Sequence, residues 1–332
     1  MARFITLEAL GRIAVGYPFA AAVVALSCIT DSDDPPPTPP SVVFPDHHAE
    51  PDWSAQGLIV FYDRGIVCVA PDGAYSVDAN LEGLWIVDPA TGTRSRVVAG
   101  RWSSPDWSPD GMQLAFSNSQ VFVTLVDQVD LRQITFEGQN FFPAWSPGGD
   151  WIAFDSNYMH PNDGNVLWLI HPDGTDRRDI SQSGTGEWRM PSWSPDGSRI
   201  IHIRYPGGAA GGAPELYSMD PDGGGELRLT NDTIEDYAPE FSPDGTRVAW
   251  SRYDRDGVRL PQIWLCNSDG SSAYQLTTLG GADPSWSPDG KRIVYLRTNW
   301  RSNGPRNGVL WIRDLETGED AQLTTKWPEQ CN

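Results

Sequence analysis

The stretch PSWSPDG at residues 191–197 returns unchanged at 284–290. It returns with small changes as PDWSAQG (51–57), PDWSPDG (105–111), PAWSPGG (143–149) and PEFSPDG (239–245). Its aromatic residue falls at Trp53, Trp107, Trp145, Trp193, Phe241 and Trp286, at intervals of 54, 38, 48, 48 and 45 residues. A period of roughly 40–50 residues with four short strands per unit is the sequence signature of a β-propeller.

Reading outward from each copy gives the same unit. A short strand ends in the aromatic and Ser. The turn Pro-Asp-Gly follows, in which Pro presets φ, the Asp carboxylate caps the turn and Gly accepts positive φ. A second strand comes next: QLAFS (113–117), WIAFD (151–155), RIIHI (199–203), RVAWS (247–251) and RIVYL (292–296). A third follows a variable loop: GLWIVD (83–88), VLWLIH (166–171), ELYSMD (215–220), QIWLCN (262–267) and VLWIRD (309–314). The fourth closes on QIT (133–135), RLT (228–230) or QLT (275–277 and 322–324). Six copies predict an all-β, six-bladed propeller with four antiparallel strands per blade. The repeated aromatic is the wedge between neighbouring sheets, where a large flat side chain buries the most area. The composition agrees: 33 Gly and 28 Pro supply turns, and 39% apolar residues with 15 Trp supply a core.

PSWSPDG followed by LW-x4-DG and QLT resembles the repeat of the TolB-type propellers, over about residues 50–325. The resemblance implies an exported, non-catalytic part of a cell-envelope assembly that docks a lipoprotein partner at the propeller face. The family's namesake carries an N-terminal α/β domain; here a linker of about twenty residues precedes the repeats, so a lipoprotein-like member lacking that domain is expected.

In a four-stranded meander, the first-to-second and third-to-fourth turns share one face. The second-to-third loops and the blade connections share the other. The first set reads as short and uniform, the second as long and varied, and variable loops on a rigid scaffold carry binding. Trp102, Phe141, Trp188 and Tyr237 recur just before the first strand of four successive blades. With Arg189 and Arg101 beside them, they read as exposed rings near the channel mouth, the composition of a protein-binding hot spot. The competing reading packs these rings under neighbouring loops. His160, in the loop 156–165, joins the candidate binding set.

Catalytic signatures are sparse. The sequence has no G-x-S-x-G elbow, no H-E-x-x-H and no C-x-x-C. A glycan- or peptide-acting enzyme with a site at the channel mouth, using His160 and loop carboxylates, is the alternative function. No cofactor is expected; a weak Ca²⁺ at DRDG (254–257) or HPNDGN (160–165) is the metal reading, against solvated turns.

Residues 1–27 read as a signal peptide: Arg3 and Arg12, then an apolar run (13–26) too short to span a bilayer. It ends in ALSC, so Cys28 resembles the lipidated cysteine of bacterial lipoproteins, although Ala25 stands where their Leu is usual. Residues 28–49 form a Pro-rich tether, 50–327 the propeller and 328–332 a tail. The remaining cysteines are Cys68, Cys266 and Cys331; a ring-closing Cys68–Cys331 disulfide and three unpaired thiols both remain open. The net charge of −20, with Lys291 and Lys326 the only lysines, repels phosphate backbones, so nucleic acid is excluded as a partner. The expectation is a monomer in the periplasm or on the cell surface, anchored to the outer membrane through lipid alone. It would bind an envelope protein or polymer through the loop-rich face.

Overall fold

The computed structural model describes residues 50–69, 75–128, 130–159, 164–181, 186–206, 212–253, 260–298, 308–324 and 329–330; the side chains of 66–69, 75–77, 298 and 329–330 are not included. Six four-stranded antiparallel sheets form a six-bladed propeller. Each blade is one contiguous stretch of chain. Blade 2, for example, comprises Ser103–Trp107, Gln113–Ser117, Val121–Leu125 and Arg132–Gln133. The first strands line the central channel: Asp52–Trp53, Ser103–Trp107, Asn140–Trp145, Gly186–Trp193, Glu235–Phe241 and Ala282–Trp286. The middle strands are the core; every residue of Ile152–Ser156 and Val166–Ile170 in blade 3 is buried. The fourth strands of blades 2 to 6 are short and mostly exposed, as Arg178–Asp179 shows.

The repeated motif has two jobs in the structure. Its turn is built as the sequence implies: in Ser108-Pro-Asp110-Gly111 the Ser108 hydroxyl donates to Asp110 (2.6 Å), and Gly111 sits at φ 66°. The same Ser–Asp bond recurs at 2.6 Å in Ser194–Asp196, Ser242–Asp244 and Ser287–Asp289. These bonds hold the turn carboxylates below their usual range, Asp196 and Asp244 at about 2.

The second job is the seam between blades. In four blades the residue before the aromatic reaches across to the next blade's backbone. Asp52 accepts the Trp107 N–H (2.7 Å), Asp106 that of Trp145 (2.6 Å) and Glu240 that of Trp286 (3.1 Å). The ring closes the same way, with the Trp53 N–H donating to Ser285 Oγ at 3.0 Å. Among the described residues, blades 1 and 6 exchange no strand. Instead, Trp53, Ile59, Phe61 and Val87 of blade 1 share one apolar cluster with Val294, Leu296 and Leu310 of blade 6. The Arg292 guanidinium also lies over the Trp53 ring at 5.0 Å, a favourable placement against the ring's negative face.

Two features depart from the expected plan. The second-to-third connection of blade 2 is a tight turn, Asn118–Gln120, closed by the Asn118 N–H on the Gln120 carbonyl (3.0 Å). This explains the short interval of 38 residues and corrects the expectation that every such loop is long. In blade 1 the corresponding loop carries strands Ile66–Val69 and Tyr75–Val77, and Glu329–Gln330 adds to the former in parallel. The proposed Cys68–Cys331 disulfide falls outside the described side chains, as do Cys28 and the leader. Cys266 is a free, buried thiol.

Candidate binding site at the channel mouth

The central channel encloses a cavity of about 330 Å³, at the lower end of the range that holds small ligands. Its neck is set by a repeated backbone device. In blades 2 to 6 the first strand slips register between Ser103/Asp106, Phe141/Ala144, Arg189/Ser192, Tyr237/Glu240 and Ala282/Ser285. The cause is the proline of the motif, which has no N–H to offer the second strand. The residue before that proline is left in the left-handed region: Ser104 (φ 51°), Phe142 (50°), Met190 (54°), Ala238 (48°) and Asp283 (51°). Such backbone costs on the order of 1–3 kcal/mol per residue and persists only where its surroundings enforce it. Here neighbouring groups hold the bulged amides. The Ser104 N–H donates to the Glu50 carboxylate, Ala238 N–H to Met190 Sδ (3.4 Å) and Asp283 N–H to Ser251 Oγ (2.8 Å).

The neck is therefore a ring of one residue per blade: Glu50, Ser104, Phe142, Met190, Ala238 and Asp283, all of which line the cavity. Beneath it lies a belt made by the residue after each proline: Asp52, Asp106, Ala144, Ser192, Glu240 and Ser285. Acids cluster on blades 1, 2, 5 and 6, while Phe142, Ala144 and Met190 give blades 3 and 4 an apolar arc. The Ser285 hydroxyl lies between two belt carboxylates, 3.3 Å from Asp52 and 3.4 Å from Glu240. Burial within the ring pushes Asp52 up to about 6, against its bonds to Trp107 and Ser285. Burial raises Asp106 and Glu240 as well, and the charge of Asp52 adds to both.

The residues singled out by sequence sit one or two places earlier. Trp188 and Tyr237 are only 4% and 6% exposed, so the expectation of exposed rings at the mouth is corrected for both. The Trp188 indole donates to Glu226 (3.2 Å) and lies under the Arg204 guanidinium; Tyr237 meets Tyr253 edge to face at 5.3 Å. Trp102 is half-buried, packed edge-on against Phe116 (4.9 Å) and Phe122 (5.1 Å). Phe141 is half-buried one residue from the neck. Arg189 is buried in an ion pair with Glu187. His160 lies outside the described residues, as do DRDG and most of HPNDGN. Among the described residues, no three acidic, His or Cys side chains are grouped to hold a metal.

One buried group was not anticipated. Asp155 is fully buried, pushed up to about 7 by burial against the pull of Arg189. Its Oδ2 accepts the Asn165 amide (2.6 Å), and its Oδ1 has no partner among the described residues.

Residues 158–330, just over half of the chain, match the family described as TolB beta propeller domain. The chain belongs to this family. An uncharacterized protein of Agrobacterium fabrum is 30% identical over 213 residues, covering 58% of this chain and 69% of that protein. The Tol-Pal system protein TolB of Francisella tularensis subsp. mediasiatica is 24% identical over 254 residues, 72% of this chain and 54% of its own length. The chain thus spans about half of that TolB and two thirds of the Agrobacterium relative. Among solved structures, TolB from Acinetobacter baumannii superposes with a TM-score of 0.63 at 21% identity, covering 80% of this chain and 64% of that one. This last likeness speaks for the fold.

Proposed function

We propose that this TolB-like propeller is an exported, non-catalytic binding module of the bacterial cell envelope, tethered through Cys28 and acting as a monomer. Its partner is a protein that docks on the loop-rich face over the channel mouth. The observation that carries this reading is the neck: one strained backbone position, repeated in five blades, presents a different side chain each time. A fixed frame with varied side chains is the layout of a recognition surface. The TolB relatives favour an envelope assembly as its setting.

The test is affinity capture from detergent-solubilised envelope, with the full chain as bait beside two variants. Phe142→Glu/Met190→Glu alters the neck; Asp173→Lys/Asp269→Lys alters exposed turns on the opposite face. A protein retained by the wild type and the turn variant but lost with the neck variant supports the reading. Loss with the turn variant alone contradicts it.

A further inference from the structure

We infer that the channel receives a guanidinium or ammonium side chain of the docked partner. The inference rests on the binding reading above and specifies the partner's chemistry. Among the described residues, five acidic side chains line the cavity: Glu50, Asp52, Asp106, Glu240 and Asp283. None of the described lining residues is Lys, Arg or His. A concave site with one sign of charge focuses its field on whatever enters. Ser104, 9% exposed, also lines the cavity, and its buried Oγ has no hydrogen-bond partner among the described residues.

The opposite wall is apolar, formed by Phe142, Ala144 and Met190. Acid on one side and apolar surface on the other suit a long cationic side chain, whose methylene stem covers apolar surface while its head keeps to polar partners. A bare metal ion would leave the apolar arc unused.

The belt carboxylates give the site a proton signature. Asp52 titrates near 6, and Asp106 and Glu240 are raised by burial and by the Asp52 charge. An entering cation favours their ionised forms and expels protons. Binding then strengthens as pH rises from 5 to 8, by about tenfold for each proton released per pH unit.

The experiment titrates the full chain with n-butylguanidinium chloride by calorimetry at pH 5, 6.5 and 8. N-butylurea serves as the neutral isostere and calcium chloride as the inorganic cation. The expected result is saturable binding of n-butylguanidinium that strengthens at least tenfold from pH 5 to pH 8, with proton release at pH 6.5. It should weaken at least tenfold in Asp52→Asn/Asp106→Asn, where the amide oxygens still accept the seam amides. Glu240→Gln provides a second variant, and unchanged thermal midpoints show that both are folded. The inference is overturned by equal binding of N-butylurea, by no saturable binding at pH 8, by undiminished affinity in both variants, or by a response to Ca²⁺ alone. If the probe binds but envelope capture fails, the socket stands and the docking reading falls. If capture succeeds equally with the Asn variants, the docking reading stands and the socket falls.

Discussion

Replacing Asp155 by Asn isolates the energetics of a fully buried carboxylate next to the neck strands. In the folded chain Asp155 titrates at about 7 against 3.8 for a free side chain. That shift is roughly three units, or about 4 kcal/mol at ~1.4 kcal/mol per unit. Between those pH values the native state holds a proton that the unfolded chain has lost. Its contribution to stability is therefore complete below pH 3.8 and falls as pH rises towards 7. Asn cannot ionise, and its carbonyl still accepts the Asn165 amide. The unfolding free energy of Asp155→Asn minus that of the wild type should rise between pH 4 and pH 8, approaching 4 kcal/mol. Groups that do not interact with Asp155, His202 among them, cancel in this difference. Urea unfolding followed by Trp fluorescence at pH 4, 5, 6, 7 and 8 measures it. A difference that stays flat across this range refutes the electrostatic reasoning, and one that falls reverses its sign.

Other expectations follow from the same structure. Trp286, 3% exposed at the seam of blades 5 and 6, should cost about 3–5 kcal/mol when cut to Ala, read as a lowered urea midpoint. Ser285→Ala removes the acceptor of the Trp53 N–H at the ring closure and should cost about 1 kcal/mol in the same assay. His202 is fully buried and pushed down to about 3 by burial, so its contribution is present above pH 6.5 and lost as pH falls towards 3. His202→Gln should therefore flatten the acid limb of the stability profile. The Cys266 thiol, 2% exposed and pushed up to about 12, should resist an aromatic disulfide reagent in the native protein and react at once in urea.

The blade plan was legible because it is local. Each aromatic wedge, each turn of the Ser-Pro-Asp-Gly kind and each apolar middle strand is written within a dozen residues; the motif recurs six times, with a changed turn in blades 1 and 3. The third strand of blade 2 escaped because Asn118–Gln120 leaves no loop to announce it. The neck escaped for a different reason. Strand alternation suggests that Phe141, Arg189 and Tyr237 face the channel, but the bulge at each proline inserts one residue and hands that place to Phe142, Met190 and Ala238. The signal was present as the residue before each proline of the motif, and it acquires meaning only once six first strands stand side by side. Asp155 escaped because the charges that act on it, Arg189 and Glu187 of blade 4, are more than thirty positions away.

Hydrogen–deuterium exchange of the protein alone and bound to its captured partner tests the central claim most directly. The account predicts new protection in peptides 136–143, 186–191 and 235–239, which carry the neck and its loops. Protection confined to the turns at 109–112, 195–198 and 288–291 would place the partner on the opposite face and contradict it.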